Sequence, residues 1–130
     1  MLRQFTENDS VGLIDLQSLI YPDHPLSLDS FRHHEKTRAV KIQHKHWVWE
    51  KDGTFICSAL YTQWEEVYHP HKFVIKIYVH PDHRNRGYGD FCYNFIIKEL
   101  ENLDPIKISA HIYESHAYSV DFLKNRGFKN

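Results

Sequence analysis

The sequence predicts a mixed α/β domain with helices packed on a single sheet, and three observations carry that prediction. Trp47-Val48-Trp49 and Phe55-Ile56-Cys57 flank Asp52-Gly53, a dipeptide suited to the positive φ angles of a tight hairpin turn. Phe73-Val74-Ile75-Lys76-Ile77-Tyr78-Val79 is nearly all apolar or β-branched, which suits a strand covered on both faces and so central in a sheet. Downstream, Cys92, Phe95, Ile96, Leu100 and Leu103 fall at helical spacing.

The other elements follow in chain order. Residues 2–5 are short and partly apolar, as a first strand would be. Thr6-x-x-Asp9 is close to a capping box, and Leu13, Ile14, Leu16 and Ile20 then line one helix face. Pro22 and Pro25 stop that helix, and Ser27 caps a second, short one carrying Leu28 and Phe31. Residues 37–44 fit either a loop or a strand. The second hairpin arm runs on through Leu60 and Tyr61 toward Trp64, and residues 65–72, with Pro70, form a loop. Pro81 and Asp82 end the central strand; the helix that follows starts near Gly87 and is closed by Pro105. Ile106 to Ile112 alternates as a strand should. Residues 115–126 read as a final helix with Ala117, Val120 and Leu123 on one face, Gly127 in the left-handed ending position and Phe128 packing back on Leu123. The order is β, α, α, β, β, β, α, β, α.

Composition bounds the function. A chain of 130 residues fits one domain with a single core, and 42% hydrophobic with 25% charged residues is a globular balance. A net charge of -1 gives no electrostatic case for nucleic acid. No apolar run is long enough to span a bilayer, and MLRQFTENDS lacks the apolar segment of a signal peptide. Cys57 and Cys92 sit in apolar surroundings and read as buried free thiols, so a cytoplasmic protein is expected. Eleven histidines are many for this length, and several are paired: His33-His34, His44/His46, His69/His71 and His80/His83. None lies in H-E-x-x-H or a Cys/His finger, so no metal site is expected.

The chemistry concentrates in Val79-His80-Pro81-Asp82-His83-Arg84-Asn85-Arg86-Gly87-Tyr88-Gly89-Asp90, which joins the buried strand to the start of the long helix. First-turn N–H groups lack intrahelical partners, and the helix dipole adds positive potential, so phosphate is favoured there. Gly87 and Gly89 let an anion approach the backbone, and Arg84 and Arg86 add charge. A pyrophosphate suits so long a row of donors. No Gly-Lys-Ser/Thr follows, and the G-x-G-x-x-G dinucleotide pattern is absent.

Arg84-Asn85-Arg86-Gly87-Tyr88-Gly89 resembles the R/Q-x-x-G-x-G/A motif of the GNAT superfamily of N-acetyltransferases, and Val79-His80-Pro81 resembles the V-x-P that precedes it. Glu114, His116, Ser119, Phe122-Leu123 and Gly127-Phe128 resemble the family's E-x-N-x-x-S/A-x-x-F-L/Y-x-x-x-G-F helix. The hairpin ending in Phe55-Ile56-Cys57 sits where the family has a turn of its own. The resemblance implies a GNAT-like sheet, mixed and mostly antiparallel, flanked by helices and lacking the last two strands. It implies one acetyl-CoA-binding domain over residues 1–130, with the C-terminal strands truncated or supplied by a homodimer partner or a second GNAT domain.

The resemblance also implies N-acetyl transfer from acetyl-CoA, the co-substrate, to a primary amine on a small-molecule or peptide acceptor. The alternative is a non-catalytic acyl-CoA-binding module of the same fold. Backbone groups of Ile77, Tyr78 and Val79 would meet the pantetheine arm, and Arg84 through Asp90 the pyrophosphate. The strands at 73–79 and 106–112 would splay to admit the thioester, with a backbone N–H near Val79 stabilising the oxyanion. Where the family often has Tyr as thiolate acid this chain has Leu123, so His116, in place of the motif's Asn, and Tyr118 become the candidate catalytic groups. Glu65, Glu66, His69 and His71, just before the central strand, lie near the expected acceptor cleft, which Tyr61, Trp64 and Tyr68 could line.

Overall fold

The computed structural model describes residues 1–20, 27–65, 68–84 and 86–113, and within them five strands form one sheet in chain order. Strand β1 (Arg3–Gln4) pairs antiparallel with β2 (Lys45–Lys51), β2 with β3 (Thr54–Thr62), and β3 with β4 (Lys72–Val79). Strand β5 (Lys107–Tyr113) lies parallel to β4, from Lys72↔Lys107 to Tyr78↔Tyr113. A parallel neighbour needs a crossover, and the long helix between these strands supplies it. The sheet is mixed and mostly antiparallel, as the sequence predicts.

At the hairpin tip, Asp52 and Gly53 both hold positive φ, 53° and 79°, the pairing that matches the twist of two joined strands. The register slips between Trp49↔Cys57 and Glu50↔Phe55, leaving Ile56 as the extra residue of a bulge. Ahead of helix α1 (Ser10–Ile20), the Asp9 carboxylate accepts the Thr6 N–H at 2.8 Å. Arg3 grips the same carboxylate with two N–H bonds of 2.8 Å each, so the helix start is tied to β1. Helix α2 (Leu28–Thr37) opens on Ser27, whose Oγ accepts the Ser30 N–H at 3.4 Å. Residues 38–44 resolve as loop, held by a turn from Ile42 N–H to Ala39 O at 3.1 Å.

Side chains alternate across the sheet, and helices cover both faces. Phe73, Ile75, Ile77 and Val79 of β4 join Cys57, Ala59 and Tyr61 of β3 against Cys92, Ile96 and Leu100 of helix α3 (Tyr88–Glu101). On the opposite face Val48, Phe55 and Tyr78 meet Leu13 and Leu16 of α1. The helix lies so close there that a Cβ on Gly12 would stand 2.8 Å from the Phe55 ring. Cys57 and Cys92 are fully buried, their sulfurs 3.3 Å apart. Leu103, expected on α3, falls just past it: the helix stops at Glu101, and Asp104 turns left-handed (φ 52°) before Pro105. Pro22, Pro25 and the final helix expected over 115–126, with Gly127 and Phe128, lie outside the described residues.

Candidate active site

Strand β4, expected at the centre of the sheet, is the fourth of the five described strands, and it sets the site's directions. His80 N–H donates to Ile56 O at 2.7 Å, which fixes the phase of the β3–β4 ladder. In antiparallel pairing alternate residues turn both backbone groups to the same neighbour. Tyr78, opposite Ser58, and Lys76, opposite Leu60, therefore bond toward β3. Ile77 and Val79 turn theirs to the β5 side, where Ile112 stands opposite Ile77. The splay implied between these strands does not occur over residues 72–78, because the register runs unbroken to Tyr78↔Tyr113 and β4 carries no bulge to turn it away. Val79 stands one position past that last pair.

From Val79 the chain makes a single turn, Pro81–His83, capped by His80, whose Nδ1 accepts the Asp82 N–H at 3.1 Å. Arg84 anchors its Nε–H on Pro81 O at 3.2 Å, and Arg86 Nη1 lies 3.4 Å from His83 Nδ1. Burial, then the neighbouring His80 and Arg86, push the His83 imidazole below its usual range, as expected where positive groups gather. Gly87 is the N-cap of α3 with φ 86°, and no described residue lies within 4 Å of where its Cβ would be. It offers no capping side chain, and the start of the helix lies beside Arg84 and Arg86 in the chain. Tyr88 packs edge-on against Trp49, ring centroids 5.1 Å apart, which fixes the helix start against β2. An open glycine cradle, a helix N-terminus and adjacent guanidinium groups fit the pyrophosphate of a nucleotide cofactor.

On the sheet face opposite α3 a cleft of about 490 Å³ opens between α1, α2 and strands β3 and β4. Leu13, Gln17, Phe31 and Leu60 line it with Trp64 and Tyr78; its charged residues are Glu35, Arg38, Glu65 and Lys76. Arg38 and Glu35 pair through two bonds of 3.0 and 3.2 Å. Glu65 accepts the Ala39 N–H at 2.8 Å. His44, also in the lining, has its Nδ1 buried without a partner among the described residues, and burial, then Arg38, lower its pKa to about 4. Buried Gln63 latches the cleft floor, accepting the Gln43 N–H at 2.9 Å and donating to the carbonyls of His69 and Pro70 at 3.2 and 3.1 Å.

The expected residues therefore divide. Arg84, Arg86, Gly87, Tyr88, Gly89 and Asp90 come together at the start of α3, with the Val79 peptide at the strand end beside them. The Tyr78 side chain turns to the cleft instead. Trp64 and Glu65 line the cleft, whereas Tyr61 is core and Tyr68 lies under Lys41 Nζ, 4.5 Å from its ring. The His71 N–H donates to His69 Nδ1 at 3.0 Å, and its own Nδ1 lies 3.2 Å from Leu103 O, so it serves the end of α3. Asn85, Glu66, Glu114, His116, Tyr118, Ser119, Phe122, Leu123, Gly127 and Phe128 lie outside the described residues. Lys76 and the Arg38–Glu35 pair were not singled out in the sequence, and His44 only as one of a pair of histidines, although one signal was visible: Lys76 interrupts an otherwise apolar strand. No group of three metal-ligating side chains occurs among the described residues, and none of their helices is long and apolar enough to cross a membrane.

Strand β4 thus feeds a glycine-started helix at its end and floors a cleft with its opposite face. The chain belongs to the acetyltransferase (GNAT) family, whose model matches residues 12–128. No curated protein matches it by sequence. Among solved structures it is similar to a ribosomal-protein-alanine N-acetyltransferase from Brucella melitensis biovar Abortus 2308, at 15% identity and TM-score 0.73, covering 100% of this chain and 92% of that one. It is similar to an aminoglycoside N-acetyltransferase in complex with CoA, at 17% identity and TM-score 0.70, covering 100% and 88%. It is also similar to yncA of Salmonella typhimurium, determined with its cofactor acetyl-CoA, at 18% identity and TM-score 0.75, covering 99% and 79%. At these identities the likeness is one of fold, and the fold is that of the GNAT acetyltransferases.

Proposed function

We propose that this chain transfers the acetyl group of acetyl-CoA to a primary amine. One observation carries the reading: Gly87, left-handed and with open space at its Cβ position, starts α3 directly after the strand whose other face floors the cleft. Acetyl-CoA supplies a thioester carbon; the amine nitrogen bonds to it as the C–S bond breaks, and the thiolate leaves with a proton. Tyr88, Gly89 and Asp90 amides, with Arg84 and Arg86, hold the pyrophosphate. Ile77 and Val79 orient the pantetheine arm, and the Val79 N–H receives negative charge on the carbonyl oxygen, a reading supported by its turn toward the β5 side. The cleft holds the acceptor, and His116 and Tyr118 are the proposed proton carriers.

Thermal unfolding with and without acetyl-CoA, with ATP as an anion control, tests the binding step. Saturation at 100 times the dissociation constant stabilises the native state by about 2.7 kcal/mol. Thiol release over a panel of amines then tests transfer. A shift with acetyl-CoA and no thiol release with any amine leaves a binding module; no shift removes the reading altogether.

A further inference from the structure

We propose that the acceptor is an amine that also carries a carboxylate, and that Lys76 binds that carboxylate. The inference rests on the function proposed above. Lys76 projects from the middle of β4, which is paired on both sides, into the cleft on the face opposite α3. The other charges lining the cleft are already engaged. Arg38 is held by Glu35 through two bonds, and Glu65 takes a backbone N–H. Lys76 is half-buried and has no ion pair or hydrogen bond among the described residues. Burial lowers its pKa. A half-buried ammonium costs free energy unless an anion meets it, so a bound carboxylate gains more there than in water.

Position along the strand agrees. Lys76 is three residues before Val79, about 10 Å at strand rise, a span that one lysine arm plus a small amino-carboxylate covers. Glu65 lies beyond the far end of β3 from the Val79 pair: Val79 stands opposite Cys57, and Thr62 ends the strand. An acceptor drawn to that carboxylate through its amine would hold the nucleophile away from Val79. His44 is neutral, so it adds no competing cation near Lys76.

The test measures thiol release from acetyl-CoA by the full chain, over the standard amino acids and their carboxamides, with spermidine and an aminoglycoside as cationic controls. The expected result is at least one amino acid whose kcat/KM exceeds that of its carboxamide by about tenfold or more. In Lys76→Met the KM for that acid rises by a similar factor, while kcat and the carboxamide's KM hold; Lys76→Arg restores most of the difference. The unchanged carboxamide rate reports that the variant is folded. Acids and carboxamides used alike, a preference for spermidine or the aminoglycoside, or a Lys76→Met loss equal for acid and carboxamide each overturn the inference and leave the acetyltransferase reading standing. Transfer to no amine at all overturns both.

Discussion

His46 makes stability depend on pH in a way that can be worked through in advance. Its ring lies flat on Phe5, centroids 4.4 Å apart and planes 6° from parallel, with 5% of the residue exposed. Nε2 sits 3.1 Å from Ser58 Oγ, while Nδ1 is buried with no partner among the described residues. Burial first, then the neighbouring His44 and Arg38, lower its pKa to about 3. An unfolded histidine titrates near 6.5, so on acidification the unfolded chain takes the proton first. The folded value is the depressed one, and the stability the neutral ring contributes is complete above pH 6.5 and is lost as pH falls below it. Between pH 7 and 5 the folded ring stays neutral while the unfolded one gains most of a proton. The loss over that interval is about 2 kcal/mol, and it is the same wherever below pH 5 the folded ring titrates. His46→Gln removes the titration and keeps a polar partner for Ser58. Urea unfolding at pH 7, 6 and 5 should show the variant losing about 2 kcal/mol less than the parent chain between the extremes. Parallel curves for the two proteins would refute the reasoning, because the buried ring would then be titrating alike in both states.

Three further perturbations follow from local geometry. Gly87→Ala puts a Cβ on a left-handed residue with open space around it, so strain of about 1–2 kcal/mol, less a chain-entropy gain of about 0.4–1, leaves a net loss near 1 kcal/mol. Gly87→Asn should lose less in the same thermal melt, since asparagine tolerates that region; equal losses would count against the left-handed φ. Gly12→Ala should lower the melting temperature despite alanine's better helix propensity, because the new methyl meets the Phe55 ring, and Phe55→Leu in the same chain should recover part of the loss. Asp9 is held at a pKa of about 2 by the Arg3 hydrogen bonds above all, so the stability it contributes is present above pH 4 and lost as pH falls toward 2. Asp9→Asn should cost about 1.5–3 kcal/mol at pH 7 and flatten that acid limb in a denaturation series.

Local chemistry made much of the fold legible. Asp52-Gly53 admits few turns, Thr6-x-x-Asp9 satisfies orphan amides, and an apolar run like 73–79 has nowhere to go but the middle of a sheet. The start of α3 near Gly87 was legible for the same reason: the left-handed backbone there depends on that residue alone, which adjacency in sequence suffices to place. The cleft was not. It is assembled from α1, α2, β3 and β4, and its polar groups are defined by who neutralises whom. Nothing in the spacing of Glu35, Arg38 and Lys76 says that the first two satisfy each other and the third is left over. Residues 37–44 were ambiguous because Ile42 is apolar enough for a strand, and the distant groups that hold the loop, Gln63 on the Gln43 amide and Glu65 on the Ala39 amide, are not evident from its own residues.

Strand β4 presents three separate surfaces. Ile75, Ile77 and Val79 build the core with α3, their backbone groups turn to the β5 side, and Lys76 and Tyr78 face the cleft. The three tasks are interleaved along one stretch of chain but barely share a side chain. Substitutions at Lys76 and Tyr78 can therefore reshape the cleft while leaving the core and the β5-facing backbone as inherited. A lineage of such domains would diverge first in the cleft and last in how it folds, which makes Lys76 a better place than the glycine at the start of α3 to look for what sets this chain apart from its relatives.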